Sequence, residues 1–134
     1  MAAIGPRIFR VLLEVTDLDV AVAFYAELLA TPGRPIRGGR HYFDCGDVIL
    51  GLVDVSETGR GAVPAPQNVY FAVDDLEEVH RRAMALGCLS ADAVHGEAGG
   101  EIAMRPWGER SFYTTDPSGN PVCFVDANTL FAGR

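Results

Sequence analysis

Apolar side chains alternate along Arg10–Val15 (Val11, Leu13, Val15) and again along Asn68–Val73 (Val69, Phe71, Val73). The two stretches superpose residue on residue, with Asp17-Leu18 falling on Asp75-Leu76. A period of two marks a strand with one face packed and the other turned elsewhere. The acidic turn after each stretch, T-D-L-D or V-D-D-L, places an Asp where it caps the first turn of a helix by accepting from free backbone N–H groups. The period then lengthens. Leu18, Val22, Tyr25 and Leu29 recur at helical spacing in the first copy, with Pro32 and Gly33 soon after. Leu76, Val79, Ala83 and Leu86 do so in the second, with Gly87 as the stop.

Three short strands are predicted beyond each helix. In the first copy they are Arg34–Arg37, Arg40–Cys45 and Val48–Val55, with Gly38-Gly39 and Gly46-Asp47 as hairpin turns. In the second they are Ile102–Trp107, Ser111–Thr115 and Val122–Val125, broken by Gly108-Glu109 and by D-P-S-G-N at Asp116–Asn120. That pentapeptide has the composition of a tight turn. The pattern is β-α-β-β-β written twice: module one over about residues 8–55, a Gly- and Pro-rich linker over Ser56–Gln67, module two over about 68–126, and a tail over 127–134. Neither unit can cover both faces of its own sheet, so the pair is expected to form one α+β domain, a curved mixed sheet with helices outside and a cup inside.

Composition excludes more than it identifies. Hydrophobic residues make up 49% of the 134 residues and charged residues 22%, the proportions of a globular chain. A net charge of −7 with no basic run argues against a nucleic-acid partner. No apolar stretch reaches membrane-spanning length, and the N-terminus lacks the apolar core of a signal peptide, so a cytoplasmic location and no membrane partner are expected. The three cysteines, Cys45, Cys88 and Cys123, show no C-x-x-C spacing, which predicts free thiols rather than a disulfide framework or a zinc site.

The paired modules, the R-V-L-L-E-V-T-D-L opening at Arg10–Leu18, Phe24-Tyr25, and D-P-S-G-N-P at Asp116–Pro121 together resemble the vicinal oxygen chelate family. That family groups glyoxalase I, the bleomycin and fosfomycin resistance proteins and the extradiol dioxygenases, and the likeness runs from about Arg10 to Asp126. It implies a metal held inside the cup by a His opening the first strand of one or both modules and a Glu in the last strand. The matching positions here are Arg10 and Asn68 for the histidines, Gly51 and Cys123 for the carboxylates. A guanidinium has no lone pair to give, Gly has no side-chain ligand atom, and an Asn carbonyl is a weak ligand. One thiol does not make a catalytic site that needs about three good protein ligands. No metal or other cofactor is therefore expected.

Alternation places Arg10, Leu12 and Glu14 on the cup face of the first strand, and Asn68, Tyr70 and Ala72 on that of the second module's first strand. Arg10 and Glu14, about 13 Å apart on a strand, cannot pair with each other, so each needs another partner. Trp107 and Tyr70 are read either as core aromatics or as a surface on which a flat ligand stacks. Cys123 is read as a small buried side chain. Arg10, Glu14, Asn68, Tyr70, Trp107 and Cys123 are thus the ligand-binding candidates, for a small, partly aromatic or apolar molecule. Two other routes stay open. One is a metal relocated to His41 or His95 with Glu97 or Glu101, His80 being assigned to the second helix. The other is an enzyme using Glu14 as a general base whose pKa burial has raised. Ala93–Gly100 is Gly-rich and predicts a mobile flap. A homodimer is expected from the resemblance, with a cup filled by its own side chains as a further possibility.

Overall fold

The computed structural model describes residues 5–133. Module one runs β1 (Arg10–Val15), α1 (Leu18–Leu29), β2 (Arg34–Ile36), β3 (Arg40–Cys45) and β4 (Val48–Asp54). Module two runs β5 (Val69–Val73), α2 (Leu76–Leu86), a small pair β6 (Ala93–Val94) and β7 (Glu97–Ala98), then β8 (Ala103–Met104), β9 (Arg110–Thr115) and β10 (Pro121–Asp126). Single 3₁₀ turns occupy Ser56–Thr58 and Ala127–Thr129. The strands form two four-stranded sheets, in the orders β1-β4-β3-β2 and β5-β10-β9-β8, so β1 and β5 are edges. In each sheet the first strand runs parallel to the last and the remaining pairs are antiparallel. Among the described residues no helix is long and apolar enough to cross a membrane.

Local chemistry explains the helix limits. Asp17 Oδ1 accepts from Val20 N and Asp75 Oδ1 from Glu78 N, each at 3.1 Å, so both predicted caps form. Gly87 ends α2 in the left-handed region at φ 68°. Ala30 ends α1 in the same region at φ 55°, without the conformational freedom of Gly. Apolar convex faces then merge into a single core: Leu13 and Val15 of β1, Leu50 and Leu52 of β4, Tyr25 and Leu28 of α1, Leu76 and Ala83 of α2, and Phe112 and Phe124 of the second sheet. Phe71, Phe124 and Phe112 stack in a row at centroid spacings of 5.4 Å.

The D-P-S-G-N turn does more than reverse the chain. Asp116 is buried; its Oδ2 accepts from Tyr25 Oη at 2.6 Å and from Asn120 Nδ2 at 2.9 Å, and its Oδ1 from the backbone N of Ser118 and Asn120. Asn120, fully buried, accepts from Ala65 N at 2.8 Å and donates to Glu14 O at 3.0 Å. The turn therefore ties module two to α1, β1 and the linker of module one. Burial, and then the neighbouring Asp116 carboxylate, push the Tyr25 phenol far above its usual range, so it stays a donor.

Two elements differ from expectation. The predicted strand Ile102–Trp107 shrinks to Ala103–Met104, because Arg105–Gly108 closes a turn in which Gly108 N donates to Arg105 O at 2.9 Å. The Gly-rich segment read as a mobile flap carries two short strands that the sequence reading did not foresee, β6 against β7, in which Ala93 pairs with Ala98 and Val94 with Glu97. Its turn carries His95 at φ 50° and Gly96 at φ 79°.

Candidate functional site

The concave face of module one is closed at its centre. Leu12, Gly51 and Tyr42 lie side by side across β1, β4 and β3. A Cβ on Gly51 would meet Leu12 Cδ2 at 2.6 Å and Tyr42 Cε1 at 3.0 Å, so neighbouring side chains fill the place of any larger residue. Arg10 stands 4.8 Å over the Phe9 ring and 5.7 Å over Tyr42, and pairs with no carboxylate among the described residues. Arg34, 5.5 Å over the same Tyr42 ring, pairs with Asp44.

Glu14 is bound elsewhere. Its carboxylate accepts two bonds from the Arg60 guanidinium, at 2.6 and 2.8 Å, and one from Val63 N at 3.0 Å. The Arg60 bond first, then the Val63 bond, lower its pKa to about 2. The expected general base, with a pKa raised toward neutrality, is corrected: the linker folds back and supplies a cation that burial alone would not.

Module two presents a different face. Tyr70 and Ala72 of β5, Cys123 and Val125 of β10, and Ser111 and Tyr113 of β9 stand in register on it. Cys123 is fully buried, and burial pushes its thiol up to about 11, outside the range of a nucleophile at neutral pH. Burial likewise raises Tyr113 to about 12 and moves Tyr70 upward. An open cavity of about 380 Å³ adjoins this row, walled by Tyr70, Ala72, Trp107, Val125, Leu130 and Phe131, with Glu109 on its lining. Both Glu109 oxygens are taken, one by Trp107 Nε1 at 2.7 Å and the other by Phe131 N at 2.9 Å. Asn68 Oδ1 is buried and has no hydrogen-bond partner.

A larger crevice of about 580 Å³ opens between the modules, lined mainly by apolar side chains such as Val11, Leu28, Ile49, Phe71 and Phe124. The charged groups on it are engaged: Asp44 with Arg34, and Arg82 with Leu28 O and Glu78. Tyr70 and Ala72 line both spaces; the larger is an apolar crevice between the core-facing sides of the sheets, whereas the smaller also takes in Trp107 and Phe131.

The histidines do not gather. His41 Nε2 lies 2.9 Å from Pro32 O, His80 Nε2 lies 2.8 Å from Gly100 O, and His95 stands edge-on to Trp107 at 4.9 Å. No three His, Cys, Asp or Glu side chains converge as a metal group among the described residues. His41 and His95, nominated with Glu97 and Glu101 for a relocated metal, are therefore not brought together. The four positions matched to the family's ligands fit an ion no better: Gly51 has no ligand atom and is crowded by Leu12 and Tyr42, Arg10 is a stacked cation, Cys123 is a buried neutral thiol beside the Arg105 guanidinium, and the unpartnered Asn68 Oδ1 is a single neutral amide oxygen.

Of the sequence candidates, Tyr70 and Trp107 meet at the cavity and Cys123 lies in the row beneath it, while Arg10 and Glu14 belong to the other module's face. Arg105, Tyr113, Glu109, Leu130 and Phe131 were not foreseen. Tyr113 was legible from alternation along Ser111–Thr115; the others sit in turns or in the tail.

Residues 10–125 match the model of the Glyoxalase-like domain, so the chain belongs to that family, within the vicinal oxygen chelate superfamily. Its fold is similar to that of a glyoxalase/bleomycin resistance protein from Albidiferax ferrireducens T118, at TM-score 0.72 and 21% identity over 89% of this chain and 97% of that one. It is similar to the oxidase ChaP-H1 at TM-score 0.74 and 24% identity, over 97% and 100%. A lactoylglutathione lyase from Agrobacterium tumefaciens is 27% identical at TM-score 0.62, over 91% and 94%. No curated protein matches the chain in sequence.

Proposed function

We propose that this chain is a metal-independent binding protein that holds a small, partly aromatic molecule on the concave face of module two. The observation that carries this reading is the exchange of functions at the site. The family's ligand positions hold groups that cannot build a metal centre, while an aromatic-walled cavity of about 380 Å³ remains beside them. A flat ring there would contact Tyr70, Trp107 and Phe131 and exclude water from them, a gain that needs no electrophile.

The working unit under this reading is a homodimer. Leu12, Tyr70, Leu130 and Phe131 are each about half exposed, and β1 and β5 are open edges in the described residues. A second copy would cover such edges and deepen the open cavity.

Trp107 is the chain's single tryptophan, so its fluorescence reports on the cavity. Titration with planar aromatic compounds is expected to quench or shift that emission saturably, in a protein that elutes as a dimer with light scattering. Emission unchanged by every planar compound, with an intact fold, would remove the basis for the proposal.

A further inference from the structure

The concave face of module two holds a buried cation without a counter-ion. Arg105 is 2% exposed. Its Nε donates to Ser111 Oγ at 3.0 Å, and its Nη2 to Ser111 O at 2.9 Å and Glu101 O at 3.2 Å. The remaining nitrogen, Nη1, is buried and has no hydrogen-bond partner. No carboxylate forms an ion pair with the guanidinium among the described residues. A guanidinium cannot shed its proton to relieve burial, so this arrangement lacks a negative partner.

The position of the cation points to where that partner comes from. Arg105 Cζ lies 5.0 Å from the ring centroid of Tyr113. Tyr113 is opposite Cys123 in register and Cys123 is opposite Tyr70, so the row containing the guanidinium ends at the cavity wall. The turn at Arg105 also carries Trp107, a second wall of the cavity. Val94 packs on Tyr113, Cys123 and Val125, and His95 stands against Trp107, so the β6–β7 hairpin covers this row beside the cavity. Two residue pairs and a Gly99 N to Asp92 O bond of 2.9 Å close that hairpin. Its base is anchored to β9 by Tyr113 N donating to Gly99 O at 2.8 Å, so only its tip around His95 and Gly96 is free to move.

Resting on the binding reading above, we propose that the ligand is an aromatic carboxylate and that Arg105 recognises its charge. The ring lies against Tyr70, Trp107 and Phe131, and the carboxylate is taken by Arg105 Nη1 as the tip of the β6–β7 hairpin shifts aside. Glu109 does not serve this end of the ligand, since both of its oxygens already accept bonds from Trp107 and Phe131. A guanidinium that only clamped the turn through its three bonds would leave the protein indifferent to ligand charge.

The test is calorimetric titration with 2-naphthoate and its neutral isostere 2-naphthamide. The naphthoate is expected to bind about tenfold more tightly or better, the scale of one charge-assisted hydrogen bond. Arg105→Gln is expected to bring the two within about twofold, and Arg105→Lys to keep part of the preference. Equal affinity of the wild-type protein for both compounds overturns the anion assignment and leaves the binding reading standing. Failure of both to bind overturns the two together. The wild-type comparison decides the matter even if Arg105→Gln does not fold.

Discussion

The two concave faces grew from one repeated pattern and now differ in kind. On module one, Leu12 and Tyr42 close over Gly51, and the charged residues are either stacked in the open, as Arg10 is, or drawn away, as Glu14 is by Arg60. On module two, Cys123, Tyr113 and Arg105 lie buried under a hairpin, next to an aromatic cavity. Under the proposed reading the two faces answer the missing ligand set in two physical ways: neighbours crowd the space on module one, and a neutral and cationic floor replaces the ligands on module two, where the proposed guest would sit.

The largest expected effect tests whether the faces belong to one folding unit. Asn120→Ala removes bonds to Ala65 N, Glu14 O and Asp116 and leaves buried partners unsatisfied, at a cost of about 3 kcal/mol. Urea unfolding followed by circular dichroism should move to lower denaturant as a single transition. A variant that unfolds in two steps would show the modules to be separable.

A smaller effect tests the closure of module one. Gly51→Glu places a carboxylate at the position matched to the family's but pushes aside the tip of the half-exposed Leu12 side chain and the Tyr42 ring, costing about 1 kcal/mol from overpacking. Adding Leu12→Ala should recover much of that loss in thermal denaturation. A Gly51→Glu protein as stable as wild type would mean the face is not closed.

Next comes the cavity itself. Tyr70 is 57% exposed, so Tyr70→Ala should change stability by no more than about 0.5 kcal/mol. Its ring is a wall, however, and affinity for a bound aromatic should fall by about tenfold. Equal ligand affinity in Tyr70→Ala and wild type would place the guest elsewhere.

The smallest effect concerns Glu14. Its folded pKa, about 2, lies below the ordinary value of 4.5, so the stability it contributes is fully present above about pH 4.5 and is lost as pH falls toward 2. Unfolding midpoints measured across that window should fall less steeply in Glu14→Gln than in wild type. The pair with Arg60 is solvent-screened, and raised salt should shrink the difference.

Much of the fold was legible because its signals are local. Alternation separates Leu13 and Val15 from Arg10 and Glu14, and the capping Asp17 and Asp75 stand where each period changes. The site was legible in half. Tyr70 and Trp107 could be nominated as aromatics near the cup, but nothing near Glu14 announces Arg60, 46 residues away in an irregular linker. Arg105 was hidden by the expectation of a strand through Trp107, where the chain turns instead. Phe131 reaches the cavity from the tail, held by Glu109 through its backbone N–H and preceded by Thr129, whose hydroxyl accepts from Arg110 N. Those are tertiary contacts with no periodic trace.

Metal content bears most directly on the claim that the scaffold works without a metal centre. The protein should be purified without chelator or affinity-column metal, and its metal content measured by elemental analysis coupled to native mass spectrometry. The expected result is a divalent ion content far below one per chain, with any co-purified mass belonging to an organic molecule. One tightly held transition-metal ion per chain would contradict it.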